Sequence, residues 1–159
     1  MWAPSDGQRT QITQAGLELA PGEQLVSAVA QGTEIEGVTA ILLLTDEDHY
    51  NALAATILAG NADTPVYRLA PSADAVAPYI PGETLFAAAL THPALTARHT
   101  AGARITTQPS DGAIPPATDL LFRVNPNGTL IPVTISRPPD PQPGDTLILL
   151  GPSGNGTSS

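Results

Sequence analysis

A short apolar run that ends in a burst of acid limits most what this chain can become. Residues 39–44 (TAILLL) follow Gly37 and give way at once to residues 45–48 (TDED). An unbroken apolar run of this length, without alternation, reads as a strand buried on both faces, as in a parallel sheet covered by helices. Residues 47–59 (EDHYNALAATILA) then carry a helical period, with Tyr50, Leu53, Ala54, Ile57 and Leu58 expected on the inner face. Gly60 and Asn61 stop that helix, and residues 65–69 (PVYRL) resume an extended pattern. Strand, helix and strand in close succession predict a βαβ crossover.

The rest of the 159 residues leaves room for one domain or two small ones. Residues 7–16 read as a short polar helix ending at Gly16, residues 17–19 as a short strand, and residues 23–31 as a helix stopped by Gly32. From Pro71 the chain turns rich in Pro and Ala, with one apolar patch at residues 84–90 (TLFAAAL). Phe86, Leu85 and Leu90, with Tyr79 nearby, are read as core or as packing between lobes, with a dimer surface as the alternative. Residues 93–101 suit a helix opened by Pro93 and closed by Gly102. The last third reads as β. Residues 120–124 and 129–135 flank a turn at 125–128 (NPNG), Pro132 marks an edge or a bulge, and residues 103–107 and 146–150 add two strands. The expected fold class is therefore α/β: an incomplete parallel-sheet lobe over 1–71, a linker and helix over 72–102, a β-rich lobe over 103–151 and a disordered tail over 152–159.

Charge and composition then remove whole classes of function. Fifteen Asp and Glu face six arginines and no lysine, a net charge of −9. The arginines stand singly, so the clustered cations that release counterions from nucleic acid, or dock on an anionic bilayer, are missing. No cysteine is present, which removes disulfides, thiol catalysis and Cys-based zinc sites. The most apolar run is far shorter than the ~20 residues that cross a bilayer, and the opening residues carry no signal-peptide pattern. The chain is expected to be soluble, with no membrane insertion of its own. Without lysine there is no Schiff base and no Walker-type phosphate loop, and no serine sits in a G-x-S-x-G elbow.

Three segments, in this order, resemble a known family. Residues 37–51 (GVTAILLLTDEDHYN) resemble the fourth strand, acidic turn and following helix of TrkA-type domains, also called regulator-of-potassium-conductance (RCK) domains. Residues 82–86 (GETLF) followed by 103–106 (ARIT) resemble the linker of NhaP-type sodium/proton antiporter tails. Residues 144–151 (GDTLILLG) resemble the closing strand of the small β-rich TrkA C-terminal lobe. The resemblance covers roughly residues 6–151. It implies a Rossmann-like lobe that binds a nucleotide or a cation, a smaller β-rich lobe, and a homodimer. It also implies a partner, the transmembrane transporter domain of the same polypeptide, and a place at the cytoplasmic face of the cell membrane. The implied function is non-catalytic regulation of a monovalent cation/proton antiporter. Regulation of a potassium channel or uptake system is the nearest alternative. A fragment or degenerate form of a nicotinamide-dependent enzyme is the alternative of another class.

The family pattern also fixes the candidate cofactor-binding residues: Asp6, Thr45, Asp46 and Asp48. Residues 3–6 (APSD) fall near the end of the family's second strand, where an acid holds a ribose hydroxyl. The family's first strand, G-x-G-x-x-G turn and first helix have no counterpart here. The chain is read as a piece of a longer lobe or as a tail with a degenerate one. Without that cradle of N–H groups, nucleotide binding is expected to be weak or lost. Thr45, Asp46 and Asp48 sit where open α/β sheets bind ligands, and clustered carboxylates suit a hard cation. Capping explains the same residues: Thr45 caps the helix, Asp48 closes a capping box, and Asp6 caps the helix that follows it. His49, His92 and His99 lack any metal-ligand spacing and read as solvated surface histidines, with pH sensing as the alternative.

Overall fold

A computed structural model describes residues 6–14, 39–61, 64–72 and 80–152. Helix α1 spans Asp6–Gln14. Strand β1 (Ile41–Leu43), helix α2 (Asp48–Asn61) and strand β2 (Val66–Arg68) follow, then strand β3 (Glu83–Thr84) and helix α3 (His92–Thr100). The chain continues through β4 (Arg104–Pro109), β5 (Asp119–Val124), β6 (Leu130–Pro132) and β7 (Thr146–Gly151). The expected strand at 17–19 and helix at 23–31, together with Tyr79 and the tail beyond 152, lie outside the described residues. None of the described helices is long and apolar enough to cross a membrane.

The elements form a three-stranded parallel sheet in the order β1-β2-β3 and a four-stranded antiparallel sheet in the order β4-β7-β5-β6. The predicted crossover is present, with Ile41 opposite Val66 and Leu43 opposite Arg68 in parallel register. Helix α2 packs on this sheet through Ala54, Ala55 and Leu58, which form a core with Ile41, Leu43 and Val66.

Two expectations about this crossover need correcting. Strand β1 is buried on one face only: Leu42 and Leu44 are 40% and 44% exposed. Of the described helices, α2 covers the face that Ile41 and Leu43 present, so the alternation hidden by three consecutive leucines becomes visible only in the fold. The inner face of α2 is 51, 54, 55 and 58 rather than a stripe through Leu53, which is 58% exposed. Ala54 and Ala55 are buried on this face, and Asn51, one turn earlier on the same stripe, is buried with them.

The antiparallel sheet follows the sequence closely. Asn125 and Thr129 close the hairpin: the Asn125 N–H donates to the Thr129 carbonyl at 3.1 Å, and the Asn125 carboxamide oxygen accepts from the Thr129 N–H at 2.8 Å. Gly128 supplies the positive φ of 84° that this turn needs. Pro132 closes the edge strand β6, where a missing N–H costs no ladder bond. Helix α3 begins with Thr91 as its cap, its hydroxyl oxygen accepting from the Ala94 N–H, and Pro93 follows in the first turn. The Arg98 guanidinium pairs with the Asp119 carboxylate, tying α3 to the first residue of β5.

Tyr67 and Leu69 from β2 and its end, Leu85, Phe86 and Leu90 from the segment after β3, and Leu121 and Leu150 from the antiparallel sheet form one buried cluster. The rings of Phe86 and Phe122 meet edge to face, 5.4 Å between centroids. Leu85, Phe86 and Leu90 of the apolar patch are thus core between the two sheets and are not free to form a dimer surface, while Ala87, Ala88 and Ala89 between them are exposed.

Candidate functional site

The carboxyl edge of the parallel sheet gathers Thr45, Asp46 and Asp48 from the β1–α2 turn, Arg68 from the end of β2, and Ser72 from the segment beyond it. The organiser of the turn is Asn51. Its carboxamide oxygen accepts from the Thr45 hydroxyl at 2.7 Å and the Thr45 N–H at 3.3 Å, and its amide nitrogen donates to the Thr45 carbonyl at 2.8 Å. Asn51 is only 4% exposed, so these bonds satisfy a polar group that burial would otherwise penalise.

This geometry replaces the expected capping box. The Thr45 hydroxyl oxygen accepts from the Glu47 N–H at 3.3 Å, two residues on, and the first α2 residue is Asp48. Asp48 turns away from Thr45 instead. Its Oδ2 accepts from the Ser72 N–H at 2.9 Å and the Ser72 hydroxyl at 2.7 Å. The reason is competition: Asn51 engages Thr45, while Ser72 offers Asp48 two donors. A carboxylate at the first turn of a helix still complements the helix dipole.

Asp46 is exposed in the bend between Thr45 and the helix. Helix α1 opens at Asp6, whose side chain lies outside the described residues. Among the described residues, no three His, Asp or Glu side chains converge as metal ligands do. His49 and His99 are exposed and His92 is half-buried. The hollow of about 690 Å³ along α1, lined by Arg9, Thr10, Thr13 and Gln14, is bordered by none of Thr45, Asp46 or Asp48.

Sequence reasoning missed Asn51, Ser72 and Arg68. Burial pulls the Arg68 guanidinium below its ordinary value, and the Asp48 carboxylate opposes that pull. Arg68 Nε is buried without a hydrogen-bond partner among the described residues. A signal for Asn51 did exist, since residues 51, 54, 55 and 58 keep the i, i+3, i+4, i+7 spacing of a core stripe, and an asparagine on such a stripe must find partners. Nothing local marked Ser72, which meets Asp48 from 24 residues away.

A second polar cluster links the two sheets. Glu83 Oε2 accepts from the Thr134 hydroxyl at 2.7 Å and the Ser136 hydroxyl at 2.9 Å. These hydroxyls hold the Glu83 carboxyl below its ordinary value, against an opposing effect of burial, with Arg137 adding to the lowering. In the antiparallel sheet Asp145 accepts from the Gln142 N–H at 3.0 Å and pairs with Arg123 at 2.9 Å. The Gln142 N–H and then Arg123 hold that carboxyl low as well, again against burial.

No protein-family model, curated protein or solved structure matches this chain.

Proposed function

We infer that this chain is a non-catalytic regulatory domain of the TrkA or RCK kind, attached to a monovalent cation/proton antiporter and working at the cytoplasmic face of the cell membrane. The observation that carries the reading is the succession of architectures along the chain. A parallel β1–α2–β2 crossover is followed by a connecting strand and then a four-stranded antiparallel sheet closed by residues 144–151. This succession supports the reading of an incomplete Rossmann-like lobe, a linker and a small β-rich lobe.

The chemistry of the sheet edge agrees with a sensor rather than an enzyme. Thr45 is bonded to Asn51, and one carboxylate oxygen of Asp48 is bonded to Ser72. Asp46 stays exposed, and Arg68, half-buried with its Nε shut off from solvent, stands at the end of the neighbouring strand β2. A regulatory signal acts only if it binds two conformations unequally. In a homodimer joined to a transporter, such a difference becomes a change in how the two protomers sit.

The genomic reading frame is the direct test. The proposal expects about a dozen apolar spans upstream, each on the order of 20 residues. A frame that instead supplies a complete dinucleotide fold with downstream catalytic residues refutes it, as does a frame holding this chain alone.

A further inference from the structure

The chain passes between its two sheets through a strap of a few residues, and that strap is bonded on both sides. Tyr67 and Arg68 of β2 lie opposite Glu83 and Thr84 of β3 in parallel register. The Leu85 N–H donates to the Arg68 carbonyl at 2.8 Å. On the other side Leu85 bridges Thr134 in antiparallel fashion. There the Phe86 N–H donates to the Val133 carbonyl at 2.8 Å, and the Ile135 N–H donates to the Thr84 carbonyl at 3.0 Å. The Val133 N–H reaches the Leu121 carbonyl in β5 at 3.0 Å. Backbone bonds thus step from β2 across the strap into the antiparallel sheet.

Two further features hold the strap in one conformation. Phe86 has a φ of 63°, a left-handed geometry that a bulky residue adopts only when its surroundings impose it. Its ring is buried against Phe122 and its neighbour Leu85 is fully buried. Beside it the Glu83 carboxylate takes both hydroxyls from Thr134 and Ser136. Thr134 is itself clamped, since its hydroxyl oxygen accepts from the Arg137 N–H at 3.0 Å.

We propose that the strap from Glu83 to Phe86 is a latched joint. With the Glu83 latch closed, the parallel and antiparallel sheets open as one body, and a displacement at the end of β2 is delivered to β5. With the latch broken, the parallel sheet opens alone. Its strands are two or three residues long, too short to stand without support, whereas the antiparallel sheet has four strands and a core of its own. The joint operates whether or not the chain regulates a transporter.

Native-state hydrogen exchange on the full chain tests this. In the wild type, amides of β1 and β2 and amides of β5 and β7 exchange through the same opening, with matched denaturant dependence. Glu83→Ala speeds exchange in β1 and β2 by about tenfold relative to β5 and β7. Ser136→Ala, which removes one of the two hydroxyl bonds at an exposed position, gives the same ordering with a smaller ratio and serves if Glu83→Ala does not fold. Arg123→Ala, which cuts the ion pair to Asp145 inside the antiparallel sheet, accelerates both sets alike. Equal acceleration of both sets by Glu83→Ala and Ser136→Ala overturns the proposal, as does independent exchange of the two sheets in the wild type.

Discussion

Replacing Asn51 by alanine removes the group that shapes the β1–α2 turn. Two of its bonds to Thr45 are short, at 2.7 and 2.8 Å, and a third is long, at 3.3 Å. A neutral hydrogen bond is worth about 1 kcal/mol net, so the two short bonds contribute about 2 kcal/mol and the long one little. Thr45 is half-buried and water reaches it in part, which keeps the loss from growing further. The expected destabilisation is therefore about 2 kcal/mol, read as a shift of the urea midpoint with unchanged slope. Thr45→Val removes the short hydroxyl bond to Asn51 and the long one from the Glu47 N–H, and costs about 1 kcal/mol. Because the two residues share that bond, the double variant loses less than the sum of the singles, by about 1 kcal/mol. A loss below about 0.5 kcal/mol for Asn51→Ala, or strict additivity of the pair, refutes the claim that Asn51 organises the turn.

Three further outcomes follow from the geometry. Gly82 has a φ of 90°, and a Cβ there would stand 2.9 Å from the Val66 carbonyl oxygen. Left-handed strain plus that clash make Gly82→Ala destabilising by about 2 kcal/mol or more in urea titration. Ala117, exposed at a φ of 59°, gains from losing its Cβ. Ala117→Gly raises stability by about 0.5 kcal/mol in the same assay, the relief of strain being offset in part by the freer unfolded chain. The Glu83 and Asp145 carboxyls are held below their ordinary values in the fold. Their contributions are therefore complete above the unfolded values of about 4 and are lost as the pH falls through the lower folded values. Stability falls in that acid range, and Glu83→Gln flattens the fall when midpoints are compared from neutral pH downward.

The elements that were plain in the sequence are those whose signals are local. Pro93, the NPNG turn at 125–128, and the alternation of helix and strand around residues 39–69 each carry their own chemistry within a few residues. What stayed hidden depends on partners far along the chain. Leucine at 42, 43 and 44 cannot reveal which face a sheet buries, since only the packing of α2 decides it. Asp48 read as the closing residue of a capping box because its true partner, Ser72, lies beyond β2. Glu83 was legible only as part of the GETLF segment, and nothing local marked its partners Thr134 and Ser136, which lie over 50 residues away. The candidate site was thus legible as a place, the acidic end of the first parallel strand, while the bonds that define it were not.

Proton flux driven by sodium or potassium in everted membrane vesicles gives the most direct test of the regulatory reading. The vesicles should carry either the whole upstream reading frame with this domain or the same frame ending before it. If the domain regulates exchange, the two differ severalfold in the cation concentration or proton concentration that gives half-maximal flux, while the maximal rate survives truncation. Superimposable flux curves, with equal amounts of protein in the membrane, contradict the account.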